Sequence, residues 1–223
     1  MSTALSTIRD NIRAELARTA GSFEKPTAQR ITTTNKKFTL PNGVATNKPI
    51  NLVILDYRNA RTLYAAAYNP NNPQPPQCYA FGKVIDDLVP SDSVPNPVHT
   101  DCTTCPKNQW GSDPTGGKGK ACKNSVRLAV VPADLGGEKS VAETDVYALD
   151  VTPTGLRNWN GLVSRLEMAG KHVMEVVTEV AFNPDAAYPT LMFAEQDAHE
   201  QDERVWMLFE KAQPLLVNHP NEN

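Results

Sequence analysis

Four cysteines, Cys78, Cys102, Cys105 and Cys122, fall within 45 consecutive residues, and no other cysteine occurs in the 223-residue chain. They sit in a stretch, residues 69–124, that is punctuated by Pro70, Pro73, Pro75, Pro76, Pro90, Pro95, Pro97, Pro106 and Pro114 and is poor in apolar side chains. A loop this long within a compact domain is either disordered or held by something other than an apolar core. The opening residues, Met1-Ser2-Thr3-Ala4-Leu5, lack the basic and apolar regions of a secretory signal, so a cytoplasmic setting is expected. No run approaches the roughly 18 apolar residues a membrane span requires. Disulfides are disfavoured in a reducing compartment, which leaves metal ligation as the natural use of four clustered thiols.

The pattern reads C-x23-C-x2-C-x16-C. The close pair, Cys102 and Cys105, lets one turn offer two sulfurs to one ion, while Cys78 and Cys122 must come from separate strands or loops. Four thiolates at about 2.3 Å form a closed tetrahedral zinc site with no open position for chemistry. Such a site can order a core-poor loop, because its binding free energy is folding free energy. Lys118, Lys120 and Lys123 offset the charge of the thiolates. His99 is the alternative to Cys78 as fourth ligand, and an iron–sulfur cluster or plain buried thiols are the competing readings.

Enzymatic readings find no support. A zinc deaminase requires H-x-E upstream of P-C-x-x-C, whereas His99 is followed by Thr100-Asp101, and Asp101 precedes Cys102. The run Gly111–Gly119 departs from a phosphate loop, since an extra glycine displaces Lys118 and Gly119 stands where Ser or Thr is needed. His99, His172, His199 and His219 are scattered and form no acid–base constellation. A non-enzymatic role is expected.

Charge is distributed unevenly. Residues 1–140 carry a balance of +6 and residues 141–223 one of −9, which together give the net −3. Between Lys107 and Arg127 the cations Lys107, Lys118, Lys120, Lys123 and Arg127 face a single acid, Asp113, with Trp110 in their midst. Upstream, Tyr57, Tyr64, Tyr68, Tyr79 and Phe81 accompany Arg58, Arg61 and Lys83. Aromatic rings flanked by cations suit single-stranded nucleic acid, whose bases stack while its phosphates meet Lys and Arg. The backbone contacts fall to Arg58, Arg61, Lys107, Lys118, Lys120, Lys123 and Arg127, and the stacking to Tyr64, Tyr68, Tyr79 and Trp110. Most tyrosines in half-buried strands are core or rim, so fewer than half of the named aromatics are expected to touch a ligand.

Hydrophobic periodicity places the remaining elements. Leu5, Ile8, Ile12 and Leu16 form the stripe of an amphipathic helix that Gly21 stops. Short strands are predicted at Arg30–Thr34 and Lys37–Leu40, with Pro41-Asn42-Gly43 as their turn. Asn51–Tyr57 reads as a buried strand pairing with Arg61–Tyr68. After the loop, Val126–Val131 and Asp145–Val151 form a hairpin, and Thr154 caps a helix over residues 155–169. Strands follow around His172–Phe182 and Tyr188–Ala194, with a last helix near His199–Ala212. A helix before the last two strands matches an OB-type Greek-key barrel. The expected architecture is therefore mainly β (α+β), an OB-type barrel with a long zinc-stapled insertion and flanking helices, with a generic α+β sandwich as the alternative. It divides into an N-terminal helix (1–25), the nucleic-acid-binding domain with its loop (26–195) and a C-terminal helix and tail (196–223).

The runs Pro75-Pro76-Gln77-Cys78, Cys102-Thr103-Thr104-Cys105-Pro106-Lys107-Asn108-Gln109-Trp110-Gly111-Ser112 and Gly117-Lys118-Gly119-Lys120-Ala121-Cys122-Lys123 resemble phage-encoded single-stranded DNA-binding proteins. The resemblance spans roughly residues 45–195. It implies an OB fold, a structural zinc on four cysteines and a role in phage DNA replication or recombination, in the bacterial host cytoplasm, alongside replication or recombination partners. Many such proteins end in an acidic tip, whereas this chain ends Asn218-His219-Pro220-Asn221-Glu222-Asn223 and carries its acids earlier, at Glu195, Asp197, Glu200, Asp202 and Glu203. Sequence-tolerant, salt-sensitive binding of single-stranded DNA is the expected function. The alternative is a protein–protein adaptor whose zinc loop is the docking surface.

Overall fold

In a computed structural model, which describes residues 29–66, 74–134, 140–141, 143–196 and 203–217, the chain is built around one long strand. The proposed N-terminal helix and Tyr68 lie outside the described residues. Strand β4, Ile50–Leu63, runs through the first of the two segments expected to pair and on into the second as far as Leu63, so Asn51–Tyr57 and Arg61–Leu63 belong to one continuous element instead of a hairpin. The reason lies in the pairing: β6, Lys123–Pro132, pairs antiparallel with β4 from Leu52 to Thr62, across Arg58, Asn59 and Ala60. The other edge of β4 is shared. Its first residues pair with β8, Val177–Phe182, and its last with β5, Cys78–Gly82.

The sheet runs β1-β7-β6-β4-β8-β9, with β5 branching from β4. Here β1 is Arg30–Ile31, β7 Tyr147–Val151 and β9 Leu191–Glu195. A small separate ladder joins β2, Phe38–Thr39, to β3, Ala45–Thr46. The β6–β7 hairpin and the β8–β9 pair follow the sequence expectation. Among the described residues no strand pair joins the ends of the path, so the sheet does not close into a barrel. The molecule is a mixed α+β protein dominated by one sheet with two helices. Because β4 is a single strand, the cysteine-bearing insertion falls between β4 and β6, ahead of the second long strand.

Both faces of the sheet are covered, which explains why Leu52–Leu55 and Val126–Val131 read as unbroken runs of buried residues. One core cluster joins Leu52, Ile54, Leu128 and Val130 to Trp159, Leu162 and Leu166 of helix α1, Leu156–Met168. The other joins Val53, Leu55, Ala129 and Val131 to Val205, Leu208, Ala212 and Leu216 of helix α2, Glu203–Val217. The indole of Trp159 meets Tyr57 and Phe193 edge-on, at centroid distances of 5.2 and 5.5 Å. On α2, Trp206 is exposed.

A register shift at Leu55 decides which face each later side chain of β4 meets. Ile54 pairs with Val130 and Asp56 with Ala129, so one extra residue reverses the alternation. Asp56 and Arg58 thereby reach the α2 face of the sheet. The expected cap of α1 differs: Gly155 occupies the cap position without a side-chain hydrogen bond, and Thr154 Oγ1 lies 3.1 Å from Thr152 Oγ1. A Cβ on Gly155 would come within 3.1 Å of Val151 Cγ1, and this close approach selects glycine there. The strand expected from His172 begins only at Val177, because His172 caps a short helical turn over Val173–Glu175.

Candidate functional site

The insertion is ordered by a small core and many polar contacts to its own backbone. Ala80, Leu88 and Cys102 are buried together with Ile85 against them. The Cys102 amide donates to Leu88 O at 3.1 Å, and the Cys122 amide to Lys107 O at 2.8 Å. The buried Asn108 donates from Nδ2 to Cys102 O at 2.8 Å, and its amide donates to Cys105 O at 2.9 Å. Asp101 folds the Cys102–Cys105 turn by accepting from the Thr103 amide at 2.8 Å and from the Thr103 and Thr104 hydroxyls. These bonds, first the Thr103 hydroxyl, hold its carboxyl down at about 2.

This framework brings all four cysteines to one cavity of about 20 Å³, lined also by Leu63, Pro90, Val98, His99, Lys107 and Asn108. Cys102 and Cys105 are buried, Cys78 and Cys122 half-buried, and all four are free thiols. Burial pushes the Cys122 thiol up to about 12, with Cys102, Cys105 and Cys78 adding to the effect. Burial likewise raises the thiols of Cys78 and Cys102. As thiols the four are neutral, and as thiolates they require a cation among them. Among the described residues no group of three or more His, Cys, Asp or Glu side chains is arranged to hold an ion. The cavity gathers four sulfur donors of the kind that zinc takes, and holding an ion would require the thiols to draw further together. His99 lines the same cavity, but its Nδ1 lies 3.0 Å from Asp101 O and accepts from the Asp101 amide at 3.2 Å.

The rest of the loop forms a tight excursion. The Gly111 amide donates to Gly119 O at 2.9 Å, and Lys123 Nζ pairs with Asp113 at 2.9 Å. That lysine bond, followed by the Thr115 hydroxyl, draws the Asp113 carboxyl well below the usual range. Next to its base Trp110 is 79 % exposed, with the Lys120 ammonium 5.4 Å from its ring centroid. Lys107 and Lys118 are exposed and join no ion pair among the described residues.

Of the arginines expected to meet phosphates, Arg61 and Arg127 are buried and Arg58 is half-buried. Arg58 donates to Asp56 Oδ2 at 2.7 Å and to Gln213 Oε1 at 2.6 Å. Arg127 is buried, with its Nε 3.0 Å from Asp150 and its guanidinium 4.4 Å from the Phe81 ring centroid. Arg61 is buried as well. Tyr79 is 6 % exposed and packs near Phe81, whereas Tyr64, at the end of β4, is 49 % exposed. Arginine in an alternating strand reads as surface from sequence, and the coverage of both sheet faces was not legible there. Two residues of consequence escaped the sequence reading. Asn108 carried no signal, but Asp56 did: a lone acid closing the apolar run Leu52–Leu55 is either at a surface or tightly partnered.

The chain matches no protein-family model, no curated protein and no solved structure.

Proposed function

We propose that the protein binds single-stranded DNA without strong sequence preference, in replication or recombination of the phage type, and that a structural zinc on Cys78, Cys102, Cys105 and Cys122 orders the binding loop. One observation carries the reading: an exposed tryptophan, Trp110, lies beside Lys120 on a loop that also presents Lys107 and Lys118. An exposed indole offers a stacking surface to any base, and the ammonium groups offer phosphate contacts. The placement of Arg58, Arg61 and Arg127 narrows the interface to the cysteine loop, with Tyr64 as the further exposed ring. The order of the long strands supports an OB-type descent, since β4 lies between β6 and β8 and α1 stands between β7 and β8.

The donor chemistry of the cavity supports zinc over a catalytic ion, because four thiolates leave no open position. A docking role for a protein partner is favoured by one other observation, the exposed Trp206 and Met207 on α2. Titration of labelled oligo-dT at low and moderate salt separates the two. Polyanion binding weakens steeply with salt through counterion release, and apolar docking does not.

A further inference from the structure

Arg61 stands on β4 between the two strands that deliver the outer cysteines. It is in register with Ala80 of β5 and Asn124 of β6. Two residues further, Leu63 pairs with Cys78, and on the other side Lys123, next to Cys122, pairs with Thr62. The side chain is sealed from water: the residue is 5 % exposed, and Nε and Nη1 are buried without hydrogen-bond partners among the described residues. No carboxylate pairs with it among the described residues. Leu63, two residues along β4 and therefore on the same face of the strand, lines the cavity that the four cysteines share.

A guanidinium keeps its proton at any pH a protein survives, and a buried cation without an anion is strongly disfavoured. An apolar residue would serve better at this position if the thiols stayed neutral. We propose that Arg61 is the built-in counter-charge of a metal–tetrathiolate centre, its free N–H groups donating to the thiolate sulfurs, and not a nucleic-acid contact. The inference rests on the reading of the four cysteines as a zinc site. Binding one divalent ion releases the thiol protons to solvent and leaves a net charge of −2 on the centre, half of which Arg61 offsets. The assignment accounts at once for the burial of the arginine, the orphaned Nε and Nη1 and the convergence of the cysteines.

The test uses the full chain, purified under reducing conditions, as wild type, Arg61→Gln, Arg61→Lys and Cys105→Ser. Zinc affinity is read by competition with a chromophoric chelator, thiolate ligation by the charge-transfer bands of Co(II), and thermal stability with and without metal. We expect Cys105→Ser to lose stoichiometric metal and Arg61→Gln to bind at least tenfold more weakly, with Arg61→Lys between Arg61→Gln and wild type. Metal-free Arg61→Gln should be as stable as metal-free wild type or more so, because the unpartnered charge is gone. Wild-type affinity and Co(II) bands in Arg61→Gln would overturn the inference while leaving the zinc site standing. Equal destabilisation of the metal-free and metal-bound forms would also overturn it, as the mark of a packing role alone. A wild-type protein that binds neither zinc nor Co(II) would overturn the zinc reading itself.

Discussion

Gln213 on α2 donates from Nε2 to the Asp56 carboxylate on β4 at 3.1 Å, across 157 residues of chain. Asp56 is fully buried, and Arg58 and Lys83 complete its shell. The C-terminal helix is thus tied to the central strand by a polar cluster as well as by Val205, Leu208, Ala212 and Leu216.

Burial alone would raise the Asp56 carboxyl, but hydrogen bonds from Lys83, Arg58, the Tyr57 amide and Gln213 outweigh it and set it below its ordinary value. A carboxyl with a lowered folded-state value contributes stability that is complete above its unfolded value and is lost as pH falls through the folded one. Urea midpoints should therefore drop as pH falls below about 4, and Asp56→Asn should flatten that part of the profile. Asp56→Ala leaves the half-buried Arg58 and Gln213 without their carboxylate partner and should cost about 1–3 kcal/mol in urea unfolding near neutral pH.

Trp159 is fully buried between Tyr57 and Phe193. Replacing it with alanine removes the largest side chain of the α1 core, at about 3–5 kcal/mol. Chemical denaturation should show the lower midpoint with an unchanged slope, and a Trp159→Phe variant should recover much of the difference.

If zinc staples the loop, a strong chelator should expose residues 74–122 to protease while the sheet stays intact. Limited proteolysis read by mass spectrometry should show new cuts between Lys83 and Lys123 and none within α1. An unchanged digestion pattern and no released metal would speak against the staple.

Trp110 makes no core contact, so Trp110→Ala should leave the melting temperature unchanged. Its loss as a stacking platform should weaken oligo-dT binding by about 1–3 kcal/mol. Lys107→Ala and Lys118→Ala should each lower the slope of log affinity against log salt by about 0.7, measured by fluorescence polarisation.

Much of the fold was legible because period and run length encode burial. Val126–Val131 and Asp145–Val151 announced a hairpin, and the helix expected over residues 155–169 is found as α1, with Trp159, Leu162 and Leu166 buried. The continuity of β4 was not legible, since a strand covered on both sides looks from Arg58 onward like a turn into solvent. The cysteines were legible as a group, and the structure brings all four to one cavity. The placement of Arg58 and Arg127 was hidden in part because Gln213 and Asp150, which pair with them, are remote in sequence.

Binding of labelled oligo-dT to the full chain, titrated at low and at moderate salt against a duplex control, tests the central claim most directly. The account predicts sub-micromolar affinity at low salt, a steep fall with added salt and clear preference over the duplex. Absence of binding at low salt would contradict it.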